Sequence, residues 1–270
     1  MNVVRITSAS NPAIKLIKSL HDKKGRQKEK SVLLEGIRLV ADAANSGALI
    51  RYFVVSESYF EKSREIISKY HSEKVIVLTD ELFGKVSETE APQGLIAVAR
   101  IPCYNEDEIL SRLKRLIVLE RIQDPGNAGT IIRTADAFGF DAVILSGDSV
   151  DPFNSKVVRS TMGSLFHIPV VVSEDIYSTI NKIKDKSIPV IAAHPRDGRS
   201  CWNVDLSSDV AIVIGNEGNG LTNKMLELSD EVAMIPMTGL AESLNASSAA
   251  SVLIYESMRQ KLMKQEHGPR

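Results

Sequence analysis

Three short runs of this chain concentrate the residue types that do chemistry. The first is Asp124-Pro125-Gly126-Asn127-Ala128-Gly129-Thr130-Ile131-Ile132-Arg133. Pro and Gly turn the chain, and Asn127 is suited to cap the helix that begins there. Ile131, Ala135 and Phe138 share one helical stripe and are expected in the core. Arg133 lies about 200° round the helix from Ile131 and points away from that stripe. A guanidinium so placed is a planar, permanently charged donor, suited to grip a phosphate or to stabilise a developing oxyanion. Taken alone, a helix cap and a surface arginine account for both residues.

The second run is Val213-Ile214-Gly215-Asn216-Glu217-Gly218-Asn219-Gly220-Leu221. Its glycines allow a ligand to approach main-chain amides. The spacing is G-x-x-G-x-G, which is not the dinucleotide fingerprint, and no Walker-type sequence occurs anywhere. Glu217 inside the loop would repel a phosphate, so a neutral or cationic ligand fits better. An ordinary tight turn with an exposed glutamate is the competing reading. The third run, Ile235-Pro236-Met237-Thr238-Gly239-Leu240-Ala241-Glu242-Ser243-Leu244-Asn245-Ala246-Ser247, leads into a helix opening on small residues. Ser243 or Asn245 is its natural N-cap. Ala246, Ala249 and Ala250 would let another segment approach that helix closely.

Each run follows an apolar strand, and strand ends are where open α/β sheets bind ligands. The C-terminal strands are expected at 116–119, 142–145, 169–172, 188–193, 210–214 and 231–235, with helices between them and a long one over 245–263. Continuous apolar strands alternating with helices predict a mostly parallel sheet covered on both faces. The N-terminal part alternates likewise: a helix over 11–20, strands at 31–35, 52–55, 75–78 and 95–99, and helices near 37–46, 57–70 and 81–86. It reads as a smaller α/β domain over 1–102, with a polar linker over 103–115 that has room for a helical turn in its second part, and the second domain over 116–270.

Composition narrows the classes. The net charge is −1, yet the first 30 residues hold eight basic residues against two acidic ones, a local +6. Charge alone favours a solvated helix face there, with phosphate attraction as the alternative. Cys103 and Cys201 form no pair motif, and His21, His71, His167, His194 and His267 show no metal spacing, so no metal is expected. The absence of an apolar run long enough to span a bilayer, and of a secretory signal, points to a cytoplasmic protein.

Together, in this order, N-A-G-T-I-I-R-T-A, I-G-N-E-G-N-G-L and I-P-M-x-G-x-x-E-S-L-N-A-S resemble the three motifs of the SpoU/TrmH family of RNA ribose 2′-O-methyltransferases. Val157 to Pro169, with Arg159, Gly163 and Ser164, resembles its middle region. The resemblance implies a C-terminal trefoil knot, S-adenosylmethionine as cofactor and a homodimer. It implies that Gly215, Ile235 and Leu244 contact the adenosyl group. It places Asn127 and Arg133 in the first catalytic motif, Glu217 in the second, and Ser243 and Asn245 in the third, with Arg133 foremost. The final proton acceptor is left among Glu217, a phosphate and water. The N-terminal part is similar to RNA-binding domains attached to this family, on Leu33-Leu34-Glu35-Gly36 and the helix bearing Arg38. This makes Lys15, Lys23, Lys24, Arg26 and Arg38 candidate RNA contacts. The implied substrate is ribosomal RNA, with tRNA second. An inactive RNA-binding or ribosome-assembly factor is the alternative from another class, and the intact motif residues argue against it. A Rossmann oxidoreductase is disfavoured by the missing fingerprint.

Overall fold

The structure, a computed structural model, describes residues 2–70 and 74–267; His71 lies outside them. The chain forms two compact units, Met1–Cys103 with Asp151–His167, and Tyr104–Val150 with Ile168–Arg270.

The first unit runs β1 (Asn2–Ile6), α1 (Pro12–Ser19), α2 (Lys23–Glu29), β2 (Ser31–Glu35), α3 (Ile37–Asn45), β3 (Ile50–Ser56), α4 (Phe60–Lys69), β4 (Lys74–Leu78), α5 (Asp80–Val86) and β5 (Leu95–Arg100). Its sheet order is β1-β4-β3-β5-β2; the β1–β4–β3 pairs are parallel, while β5 runs antiparallel to both β3 and β2. Asn11 caps α1 by accepting from the Ala13 amide at 2.9 Å, with Pro12 at the first helical position. Ile14, Ile17 and Leu20 then pack under the sheet with Ile76, Leu78, Phe83 and Val98. The edge strand β1 is absent from the sequence expectations: most of its residues are exposed, so its short apolar pattern has no inward period to read.

The basic stretch after α1 is itself helical, as α2, and ends on Lys30 in the left-handed conformation (φ 47°). Lys15, Lys23, Lys24 and Arg38 are exposed. Arg26 departs from the expectation of an RNA contact. Its side chain is only 4% exposed. The guanidinium donates to the Leu20 and His21 carbonyls at 3.0 and 2.6 Å and pairs with Asp151 Oδ2 at 2.6 Å. It closes the end of α1 and cannot reach a phosphate.

Asp151 begins the segment that carries α8 (Ser155–Thr161) within this unit. Arg159 lies 3.8 Å from Glu88, and a Cβ on Gly163 (φ 97°) would strike the Asp42 carboxylate at 1.8 Å. The Asp42 side chain could swing aside, but the positive φ itself favours glycine there.

The second unit contains α6 (Glu106–Arg112), β6 (Arg115–Leu119), α7 (Pro125–Ala137), β7 (Ala142–Ser146), β8 (Val170–Ser173), α9 (Ile176–Asp185), β9 (Val190–Ala193), β10 (Arg199–Ser200), β11 (Val210–Ile214), α10 (Asn223–Leu228), β12 (Glu231–Met234) and α11 (Ala246–His267). The stretch expected as a linker, 103–115, holds α6. Asn105 caps it, Ile109 and Leu110 bury in the core, and Lys182 pairs with Glu106 and Asp107 at 3.1 and 2.8 Å. The seven strands are all paired in parallel, in the order β10-β12-β9-β11-β6-β7-β8. Leu116 and Val118 of β6 join the side covered by α6, α9 and α10. Strand pleating turns Ile117 and Leu119 to the other side, where α7 and α11 pack together. The expected parallel sheet with helices on both faces is present.

Candidate active site

The loops after β9, β11 and β12 and the start of α11 meet around one pocket. Ala193 ends the first strand and His194 follows it, Ile214 ends the second with Gly215 to Gly218 and Gly220 after it, and Ile235, Met237, Ser243 and Leu244 follow the third. Ala246, Ala249 and Leu253 of α11 close its floor. Space between the protein atoms, mouth included, amounts to about 790 Å³, within the range of small-molecule sites. Gly215, Ile235 and Leu244, distant in sequence, therefore share one cavity.

The glycine-rich loop folds back on itself. The Asn216 amide donates to the Gly220 carbonyl at 3.1 Å and the Gly220 amide to Asn216 at 2.9 Å. A Cβ on Gly215 would lie 2.4 Å from the Gly220 carbonyl carbon, so no larger residue fits there. By contrast, among the described residues the main chain of 235–244 makes no hydrogen bond with other main-chain groups outside the strand ladder. Its donors and acceptors are open to a ligand.

Glu217 is not idle in its loop. Its carboxylate accepts from the Gln123 and Asp124 amides at 3.2 and 3.1 Å and from Asn127 Nδ2 at 3.0 Å. Asn216 Nδ2 adds a bond to the Arg121 carbonyl at 2.8 Å. The loop after β11 is thus clasped to the start of α7. Asn127 is inside that helix and is not its cap. Asp124 caps it, accepting from the Asn127 amide at 2.8 Å ahead of Pro125, which frees the Asn127 side chain for Glu217.

Burial pushes the Glu217 carboxyl upward, but the bond from Asn127 and those from main-chain amides of Glu217, Asp124 and Gln123 outweigh it and hold it below the usual value. A carboxylate so held is a weak proton acceptor near neutral pH. Because the folded value is depressed, the clasp contributes stability above the ordinary glutamate range, about 4.3, and loses it as pH falls through the folded value. Glu217→Gln is expected to be less stable at neutral pH by about 1 kcal/mol, the low end for charge-assisted bonds at a solvent-open site. Urea titrations across pH should show that gap shrinking as the medium becomes acid.

Asn245 caps α11, accepting from the Ser247 and Ser248 amides at 2.9 and 3.3 Å. Ser243 is exposed and lines the pocket. Arg133 does not line it. It projects to solvent from α7, and among the described residues its guanidinium has no hydrogen bond or ion pair. Ile131 and Ala135 are fully buried, as expected of the opposite face. Phe138 is half-buried and meets Tyr255 of α11 edge-on at 5.9 Å, so it joins the helix pair and not the sheet core.

Comparison with known proteins fixes what this architecture is. Residues 114–255 match the SpoU rRNA Methylase family, and residues 11–97 match the MRM3-like substrate binding domain. The chain is 36% identical over 251 residues to the 23S rRNA (guanosine(2553)-2′-O)-methyltransferase RlmP of Bacillus subtilis, an alignment covering 93% of this chain and 98% of that protein. The chain belongs to the SpoU rRNA methylase family.

Another relative in the family is the 23S rRNA (uridine(2479)-2′-O)-methyltransferase of Streptomyces viridochromogenes, 31% identical across 90% of this chain and 88% of its own length. An AdoMet-bound rRNA methyltransferase from Sinorhizobium meliloti superposes with a TM-score of 0.82 at 31% identity, over 95% of this chain and 98% of that one. Within this SpoU frame, sequence reasoning placed the pocket residues but missed three that organise it. Asp124 was signalled by its place before a proline. Asn216 had only the glycine-rich loop to mark it. His194 had only its position directly after a strand.

Proposed function

We propose that this chain transfers a methyl group from S-adenosylmethionine to a ribose 2′-hydroxyl of ribosomal RNA. The observation that carries the proposal is the convergence of the second and third motif runs on one pocket, with the first run clasped to the second through Glu217, in a chain similar along nearly its whole length to ribosomal RNA 2′-O-methyltransferases.

The pocket suits the cofactor. Its floor of Ala233, Ala246, Ala249 and Leu253 can take a flat, weakly polar adenine, and the open main-chain groups of 235–244 can read its edges. Among the described residues no lysine or arginine lines it to repel a sulfonium. Gly215, Ile235 and Leu244 would hold the adenosyl group, inside the knot that the family resemblance implies. When bound, S-adenosylmethionine supplies an electrophilic methyl carbon. The hydroxyl proton would leave to a phosphate or water.

Arg133 grips the RNA phosphate and stabilises the oxygen as it loses its proton; a guanidinium carries donors only and offers no lone pair to act as a base. Glu217 and Asn127 position the helix that bears Arg133 relative to the pocket, Asn245 fixes the start of α11, and Ser243 donates at the pocket mouth. Lys15, Lys23, Lys24 and Arg38, all exposed, draw in the RNA backbone. A cytoplasmic homodimer packed on α11 completes the proposal. Its support is the exposed Val252, Tyr255, Leu262 and Met263, because Ala246 and Ala250 are already buried within the subunit. No helix among the described residues is long and apolar enough to cross a membrane.

The test is binding in excess chelator. S-adenosylhomocysteine should bind with unchanged affinity, and a requirement for a divalent ion would contradict the reading. RNA affinity should fall with salt, by a log–log slope of roughly 0.7–0.9 per phosphate neutralised. Replacing Lys15, Lys23, Lys24 and Arg38 together should remove several units of that slope and leave S-adenosylhomocysteine binding unchanged; an unchanged slope would assign these residues to a solvated face.

A further inference from the structure

Among the described residues, four side chains in the pocket lining carry a nitrogen or oxygen atom: His194, Asn216, Glu217 and Ser243. Two are fully engaged elsewhere. Asn216 Oδ1 accepts from the Gly218 and Asn219 amides, both at 3.0 Å, while its Nδ2 serves the Arg121 carbonyl. Glu217 serves the start of α7. Ser243 is exposed in the loop after β12. His194 differs from all three. It directly follows β9, the strand that lies between β11 and β12, so it stands where the two motif loops converge. Its own amide is pinned to the Ala233 carbonyl of β12 at 3.0 Å.

The ring is oriented from one side. Nδ1 lies 3.0 Å from the Asp197 amide and 3.4 Å from the Arg196 amide, closer than the Asp197 carboxylate at 3.5 Å. A ring nitrogen that accepts from amides carries no proton, which places the hydrogen on Nε2. Among the described residues Nε2 makes no hydrogen bond. A fixed, unengaged N–H donor at the meeting point of two ligand loops is what a recognition group needs. Its lining neighbours Ala193 and Ala233 are apolar, so a carboxylate placed against them would lose hydration that an aromatic base does not need.

We propose that His194 positions the adenosyl group of S-adenosylmethionine by donating its Nε2 hydrogen to a nitrogen or hydroxyl oxygen of that group. This rests on the cofactor reading given above. His194 is a positioning residue and takes no part in bond making.

His194→Asn is the discriminating variant. An asparagine oxygen can accept from the amides two and three residues on, as an Asx turn does, but the side chain is too short to replace the Nε2 donor. Calorimetric titration should use S-adenosylhomocysteine and 5′-methylthioadenosine, which lacks the amino-acid tail. Both should bind about three- to tenfold more weakly to the variant, the size of one net hydrogen bond, with the ligand-free melting temperature unchanged. Equal affinity of variant and wild type would overturn the proposal. Weakening confined to S-adenosylhomocysteine would place the donor on the amino-acid tail and overturn the adenosyl assignment. Nitrogen-15 spectra of the wild-type imidazole keep the test independent of how the variant folds. Nε2 should carry the proton, and its signal should move on adding 5′-methylthioadenosine; a proton on Nδ1, or an unmoved signal, refutes the inference. Wild type that fails to bind S-adenosylhomocysteine would instead overturn the cofactor reading itself.

Discussion

Arg133→Ala should reduce single-turnover methyl transfer by on the order of 100-fold or more, the usual loss when a preorganised donor to a developing charge is removed. Two further measurements on the same variant give the result its meaning. The side chain is exposed and without a partner among the described residues, so melting should change by no more than about 0.5 kcal/mol. It lies outside the pocket lining, so S-adenosylhomocysteine should bind as it does to the wild type. Arg133→Lys should recover only part of the rate, because an ammonium keeps the charge but loses the planar fork. Wild-type turnover in Arg133→Ala would make this an ordinary surface residue. A large drop in melting temperature or in cofactor affinity would make its role structural.

The second large effect is expected at a position that sequence alone assigns to RNA. Arg26→Met removes a buried guanidinium and leaves Asp151 and the Leu20 and His21 carbonyls without their donor. Breaking such a pair from one side costs about 3 kcal/mol. Native-state hydrogen exchange should register it in the first unit, as a loss of protection on the order of 100-fold shared by α1, α2 and α8, because Arg26 of α2 bonds the carbonyls just after α1 and the Asp151 that leads into α8. A phosphate-binding arginine would behave differently. Its removal would leave exchange unchanged and lower the salt slope of RNA binding by about one unit.

Arg26 also shows where sequence reasoning runs out. A lysine-rich stretch looks uniformly exposed, and nothing local distinguishes the one cation whose partner lies 125 positions away. The placement of Asp151–His167 within the first unit is equally nonlocal, since it depends on Arg26, Glu88 and Asp42. The antiparallel pairing of β5 with β2 and β3 cannot be read from apolar strands, because period-two alternation carries no direction. The pocket was legible for the opposite reason. Two of its loops, those after β11 and β12, are rich in Gly, Asn, Ser and Glu at the ends of apolar strands, so composition and position coincide there. The role of Asn127 was half legible: its importance follows from the motif. Its job depends on Asp124 taking the cap and on Glu217, 90 residues away, accepting the freed amide.

The account stands on the identity of the atom that receives the methyl group. Ribosomal RNA from cells lacking this protein should be incubated with the purified chain and S-adenosylmethionine labelled in its methyl group, then split by alkali. Alkaline cleavage needs a free 2′-hydroxyl, so a methyl placed there leaves its label in a dinucleotide that resists cleavage. The account predicts that nearly all transferred label appears in that resistant dinucleotide and that Arg133→Ala abolishes most of it. Label recovered in mononucleotides would mean methylation of a base, and would contradict the account.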